Sequence, residues 1–122
     1  MYQEELMDHY HHPRHRGTLQ SPDIDSGQYN PSCGDSVIMQ AQVTDGIISD
    51  IAFEGKGCVI SQATASMLAV YALHKTPHFM LQFSVEDLMQ LIKIPLGPTR
   101  LKCALLALHA LQEGIKKYMQ QR

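Results

Sequence analysis

Two runs of alternating polarity meet at Asp45-Gly46: Val37, Met39, Ala41 and Val43 before it, and Ile47, Ser49, Ile51 and Phe53 after it. A period of two places each set on one face of an extended strand. An Asp-Gly pair suits a type I′ turn, in which both central residues need positive φ. The spacing therefore predicts a β-hairpin with one apolar face. A lone hairpin is marginal in water, so the rest of the chain must supply the layer that covers it.

The remaining periodicity is helical. After Gly55-Lys56-Gly57-Cys58, apolar and small residues from Ser61 to Leu73 recur at helical spacing, which predicts a helix beginning just after Cys58. Ser84, followed three residues later by Asp87, resembles a capping box, with Val85, Leu88, Leu91 and Ile92 tracing one face of a helix to about Ile94. Pro95, Gly97 and Pro98 enforce a break. Leu101, Leu105, Leu108, Leu111, Ile115 and Met119 then form the stripe of a long C-terminal helix with Cys103 in its first turn. Ahead of the hairpin, Leu6, Met7 and Tyr10 suggest a short helix within Glu4 to Tyr10, stopped by Pro13 and Gly17. Ser21 to Pro31 is rich in turn formers and reads as a loop or a short edge strand. A hairpin followed by helices is the order of an α+β domain, with helices packed on one face of a small antiparallel sheet.

Length and charge narrow the function. At 122 residues, 44% of them hydrophobic, the chain forms one globular domain spanning 1–122. Its apolar stretches fall short of the ~20 residues that cross a bilayer. Glu4 and Glu5 stand near Met1 where an export signal carries positive charge. The expected location is cytoplasmic, with no membrane partner. A formal net charge of -2 lacks the positive excess that a phosphate backbone requires, so nucleic acid is not an expected partner. Three cysteines in a reducing compartment are expected to be free thiols.

Those thiols carry the chemistry. Cys33 precedes the hairpin, Cys58 follows it and Cys103 opens the last helix, so all three are placed at element ends, where a side chain can reach a site while its element holds the backbone. Gly34, Gly55 and Gly57 beside the first two allow backbone to come close to a bulky group. Cys58 and Cys103 fall near predicted helix N-termini, which favour thiolate. Asp35, two residues from Cys33, projects on the same side of an extended chain and can add a carboxylate oxygen. Three sulfurs and one oxygen fill a tetrahedron suited to zinc, or to an iron-sulfur cluster with one exchangeable position. A cysteine is also commonly a small buried hydrophobe, and no Cys-x-x-Cys pair fixes ligand spacing; the residues alone leave both readings open.

Other metal-ligating residue types read more plainly. His9, His11, His12 and His15 are expected on a solvated surface, His74 and His78 near the end of the middle helix, and His109 packed within the last one. Met39, Met67, Met80, Met89 and Met119 are expected to fill gaps in the core. Lys116, Lys117 and Arg122 complement the C-terminal end of a helix dipole.

Three blocks together resemble the IscU/SufU/NifU-type iron-sulfur cluster assembly scaffolds. Asp8-His9-Tyr10 with Pro13-Arg14 and Gly17 is similar to the family's N-terminal signature, and Asn30-Pro31-Ser32-Cys33-Gly34-Asp35 to its Cys-Gly-Asp motif. Gly55-Lys56-Gly57-Cys58 and Arg100-Leu101-Lys102-Cys103 are similar to its second and third cysteine blocks. The resemblance implies a three-stranded sheet under a helical layer. It implies that Cys33, Cys58 and Cys103 bind the cluster and accept sulfur, and that Asp35 coordinates zinc or keeps the cluster labile. It further implies a carrier rather than an enzyme, which receives sulfur from a cysteine desulfurase, binds iron, builds a transient [2Fe-2S] cluster and passes it to apoproteins. The SufU branch implies an alternative, a zinc-dependent sulfurtransferase accepting persulfide from the desulfurase. Where IscU-type members carry a Leu-Pro-Pro-Val-Lys peptide read by an Hsp70-type chaperone, followed by histidine before the third cysteine, this chain has Leu96-Gly97-Pro98-Thr99-Arg100-Leu101-Lys102; recognition by that chaperone is not expected. The Arg-x-Lys-Cys ending is SufU-like, but the SufU-type insertion between the second and third cysteines is missing, which leaves the branch open.

Overall fold

The computed structural model describes residues 2–121. Eight elements follow one another: α1 (Tyr2–His11), β1 (Ile24–Asn30), β2 (Asp35–Thr44), β3 (Ile47–Lys56), α2 (Val59–Ala72), α3 (Pro77–Leu81), α4 (Val85–Ile92) and α5 (Pro98–Gln120). The strands form one antiparallel sheet in the order β1-β2-β3. The α2 and α5 helices pack on the sheet and on each other, and α1 lies on α2. This is the α+β architecture expected, with a long C-terminal helix on the sheet. Within Ser21 to Pro31, expected to be a loop or short edge strand, residues Ile24–Asn30 form the edge strand β1.

The hairpin turns at Asp45 and Gly46 with φ of 55° and 79°, as a type I′ turn requires. Its second strand departs from the predicted phase. Gln42 pairs with Asp50 but Val43 pairs with Ile48, leaving Ser49 as the extra residue of a β-bulge. Ser49 Oγ bonds Thr44 Oγ1 at 2.9 Å and donates to Gln42 O at 3.2 Å. The bulge turns Ile48 into the core (0% exposed) and Ile47 out (40% exposed), where simple alternation put Ile47 inside.

From Ile60 to Ala69 every residue of α2 is buried, because α1, the sheet and α5 surround it. Small residues there let the neighbours approach closely. The α5 helix comes equally near β1: a Cβ on Gly114 would stand 2.7 Å from Ile24 Cγ2. The predicted capping box is present at α4, with Ser84 Oγ accepting from Asp87 N at 3.0 Å and Asp87 Oδ2 accepting from Ser84 N at 2.9 Å. That helix stops at Ile92, where Lys93 takes a left-handed conformation, earlier than predicted. The short α3 escaped sequence reading; Thr76 caps it by accepting from Phe79 N at 3.0 Å, and Pro77 occupies its first turn.

The edges of the sheet differ. Residues 15–17 lie along β3, with Phe53 N donating to His15 O at 3.0 Å and Gly17 N to Phe53 O at 2.9 Å. Residues 74–75 cover the same strand near Ile48 through two 2.8 Å bonds. Among the described residues no strand pairs with the outer edge of β1.

Candidate metal and sulfur site

Two junctions of the fold and the second turn of α5 meet at the cysteines. The β1–β2 turn is tied by Ser32 N donating to Asn30 Oδ1 (3.0 Å) and Gly34 N to Asn30 O (2.8 Å), and Gly34 takes φ 76°. This turn, rather than an extended chain, brings exposed Cys33 near Asp35, which opens β2 at 2% exposure. The β3–α2 junction passes over that carboxylate. Gly57 has φ 133°, and a Cβ there would lie 2.2 Å from Asp35 Oδ1, so only glycine fits. Gln62, oriented with its nitrogen toward Gly55 O (3.2 Å) and its oxygen toward Lys56 N (3.3 Å), pins the end of β3 to α2.

Cys58 is the N-cap residue of α2 and is exposed. Its N–H donates to Asp35 Oδ1 at 3.1 Å, and its Sγ lies 3.9 Å from Ser61 Oγ. Cys103 is buried, with Sγ 4.0 Å from Cys33 Sγ. It lies in the second turn of α5, because Pro98 starts the helix earlier than the apolar stripe alone indicated.

Ligand atoms of Cys33, Asp35 and Cys103 all lie within 4.8 Å of one another. Cys58 stands just outside that set. For comparison, sulfurs on a tetrahedral zinc with ~2.3 Å bonds are about 3.8 Å apart. Asp35 Oδ2 is buried without a hydrogen-bond partner, an acceptor suited to a cation. Two thiols, a carboxylate and a third thiol at the edge fit zinc or thiophilic iron in donor chemistry.

Electrostatics separates the groups. Burial raises the Asp35 pKa, but the donor groups facing it, those of Cys58 first and then Cys103 and Ser61, outweigh burial and hold Asp35 below the usual carboxylate range. Burial pushes the Cys103 thiol strongly up, reinforced by Cys58, Asp35 and Cys33. Burial thus opposes the preference for thiolate that the helix dipole gives Cys103. The thiols line a cleft of about 650 Å³ whose other wall is apolar, from Leu6, Met7, Val59, Ile60, Ile94 and Leu96, with Thr99 and Arg100 at one side.

The N-terminal signature is a clasp. Arg14 pairs with Asp8, and Ser66 Oγ on α2 accepts from Arg14 N and bonds His9 Nδ1, both at 2.8 Å. His9 is thus half-buried, not solvated as expected, and burial holds its pKa below the ordinary value. His11 and His12 are exposed and His15 half-buried, while His109 proves exposed rather than packed. No histidine joins a group of three metal-ligating side chains among the described residues. Met39, Met67 and Met80 are buried and Met89 and Met119 half-buried, consistent with packing. No helix among the described residues is long and apolar enough to cross a membrane.

Residues 1–122 match the family described as the NifU-like N terminal domain. The zinc-dependent sulfurtransferase SufU of Bacillus subtilis (strain 168) is 35% identical over 134 aligned residues, covering 96% of this chain and 90% of the relative. The iron-sulfur cluster assembly scaffold protein IscU of Thermotoga maritima is 32% identical over 133, covering 96% and 94%. In fold, a crystal structure of a putative scaffold protein for the SUF system from Fervidobacterium islandicum AW-1 matches with a TM-score of 0.80 at 24% identity, covering 92% of this chain and 94% of that one. The chain belongs to the NifU-like N-terminal domain family.

Proposed function

We propose that this chain is an iron-sulfur cluster assembly scaffold. A cysteine desulfurase supplies persulfide sulfur, an external electron donor reduces it to sulfide, iron joins it, and a labile [2Fe-2S] cluster is held as cargo by Cys33, Cys58 and Cys103 beside Asp35 until an apoprotein takes it. The meeting of the Cys33 and Cys103 thiols at a buried carboxylate with an oxygen lacking a partner, with Cys58 beside them, carries this reading. The carboxylate donates less covalently than a thiolate and is the more exchangeable ligand of the set, which suits release. The apolar wall shields a bound cluster from water, and Cys58 and Cys33, both exposed, are accessible to an incoming sulfur donor.

A second reading is a zinc-dependent sulfurtransferase that accepts persulfide from the desulfurase. The compact Cys33, Asp35 and Cys103 set, with Cys58 close by, favours it, as does the SufU relative. Zinc bound there would displace the Cys103 proton and hold the thiolates at neutral pH.

Anaerobic reconstitution with iron, cysteine and a desulfurase separates the two. Under the scaffold reading a cluster absorption spectrum forms, disappears in Cys33→Ser, Cys58→Ser and Cys103→Ser, and passes to an apo-ferredoxin; Asp35→Ala gives a longer-lived cluster that transfers more slowly. Stoichiometric zinc and protein-bound persulfide, without a cluster, select the sulfurtransferase.

A further inference from the structure

We infer that the groove between the outer edge of β1 and α5 docks an extended acidic segment of a partner protein as a fourth strand. The first argument is the edge itself. Segments 15–17 and 74–75 cover β3, whereas the outer backbone groups of β1 meet no strand among the described residues. Such an edge is a template for an added strand. Gln112, the long amide beside it, does not cap it, because its Nε2 is directed at Met80 O, Leu81 O and Phe83 O (3.1, 3.2 and 2.8 Å).

The second argument is charge. Lys102, His109 and Lys116 recur every seven residues on α5, which keeps them on one face, and Lys117 adjoins them. They line two cavities, of about 480 and 240 Å³, joined at His109. Glu113 is the only acidic residue lining either, and Lys116 partly offsets it at 3.4 Å. A cationic groove on a chain of net charge -2 selects an acidic ligand.

The third argument is length. From Lys102 to Lys116 α5 rises about 21 Å, and the six residue steps of β1 from Ile24 to Asn30 span about 20 Å. The walls match, and six or seven extended residues fill the groove. Tyr29, 63% exposed, stands at the end nearest the turn that carries Cys33. A segment bound there ends beside the cysteine cleft without entering it. The inference is independent of what the cysteines carry.

The test uses the metal-free full chain, ¹⁵N-labelled, titrated with an acetylated and amidated octapeptide of alternating valine and glutamate. Amide shifts are expected at residues 26–30 and along the facing side of α5. A lysine-for-glutamate peptide should give none, and N-methylation of alternate peptide bonds should abolish binding. The Lys102→Glu, Lys116→Glu double variant, its fold verified by circular dichroism, should bind at least tenfold more weakly. Absence of shifts at millimolar peptide, unchanged affinity of the double variant, or binding that survives N-methylation would each overturn the strand-addition proposal.

Discussion

Asp35 and Gly57 form a pair that works only together. The carboxylate reaches its buried position because the chain crossing over it lacks a Cβ, and it is held there by the Cys58 N–H. Gly57→Val introduces both a clash at 2.2 Å and a β-branched residue at φ 133°. The expected cost is roughly 2 kcal/mol or more of stability, read from urea unfolding. The displaced carboxylate should also weaken zinc binding by more than the same change at Gly46, which has positive φ but open space around it. Equal losses at the two positions would mean that strain alone, not the carboxylate, is being measured.

At the level of elements, the clasp between α1 and α2 carries a pH dependence of definite sign. Ser66 Oγ already accepts from Arg14 N, and its hydroxyl proton can serve neutral His9 Nδ1. Protonating that nitrogen removes its acceptor role, and burial opposes the charge. The folded pKa lies below the ordinary 6.5, so between the two values the unfolded chain binds more protons and stability falls as pH falls. Above about 6.5 the contribution is intact. His9→Gln should flatten this part of the stability curve in chemical denaturation at successive pH values, and an unchanged slope would remove His9 as its source. The same scale explains what was legible in advance. The hairpin turn, the capping box and the start of α2 are local signals and could be read from neighbouring residues. The bulge at Ser49 is not local, because it depends on cross-strand bonds to Thr44 and Gln42. The β1 strand hid behind its serine, glycine and asparagine because its pairing comes from β2 and the burial of Ile24 and Ser26 comes from α5. Cys33, Asp35, Cys58 and Cys103 are nameable as candidate ligands from motif and position. The burial of Cys103 and the orphan oxygen of Asp35 are not, since both arise only when α5 and the β3–α2 junction are brought together.

Across the whole molecule, the candidate ligands tie distant parts of the chain to one point: the β1–β2 turn, the start of α2 and the second turn of α5. A cation bound by Cys33, Asp35 and Cys103, completed by Cys58, would cross-link the sheet and both of the helices that pack on it. Binding to the folded state alone stabilises by about 4.1 kcal/mol when free metal exceeds Kd a thousandfold. For a domain of this size that corresponds to a Tm rise of roughly 10 to 20 °C. Calorimetry of the metal-free chain with buffered zinc should therefore show a large upward shift, smaller in Asp35→Asn and nearly absent in Cys103→Ser. Hydrogen exchange should slow together at the turn 31–34, at Cys58 and at the first turns of α5. If Tm does not move while zinc binds stoichiometrically, the metal is held by one loop or by the unfolded chain as well. The three segments would then be adjacent without being coupled, and exchange would slow at only one of them.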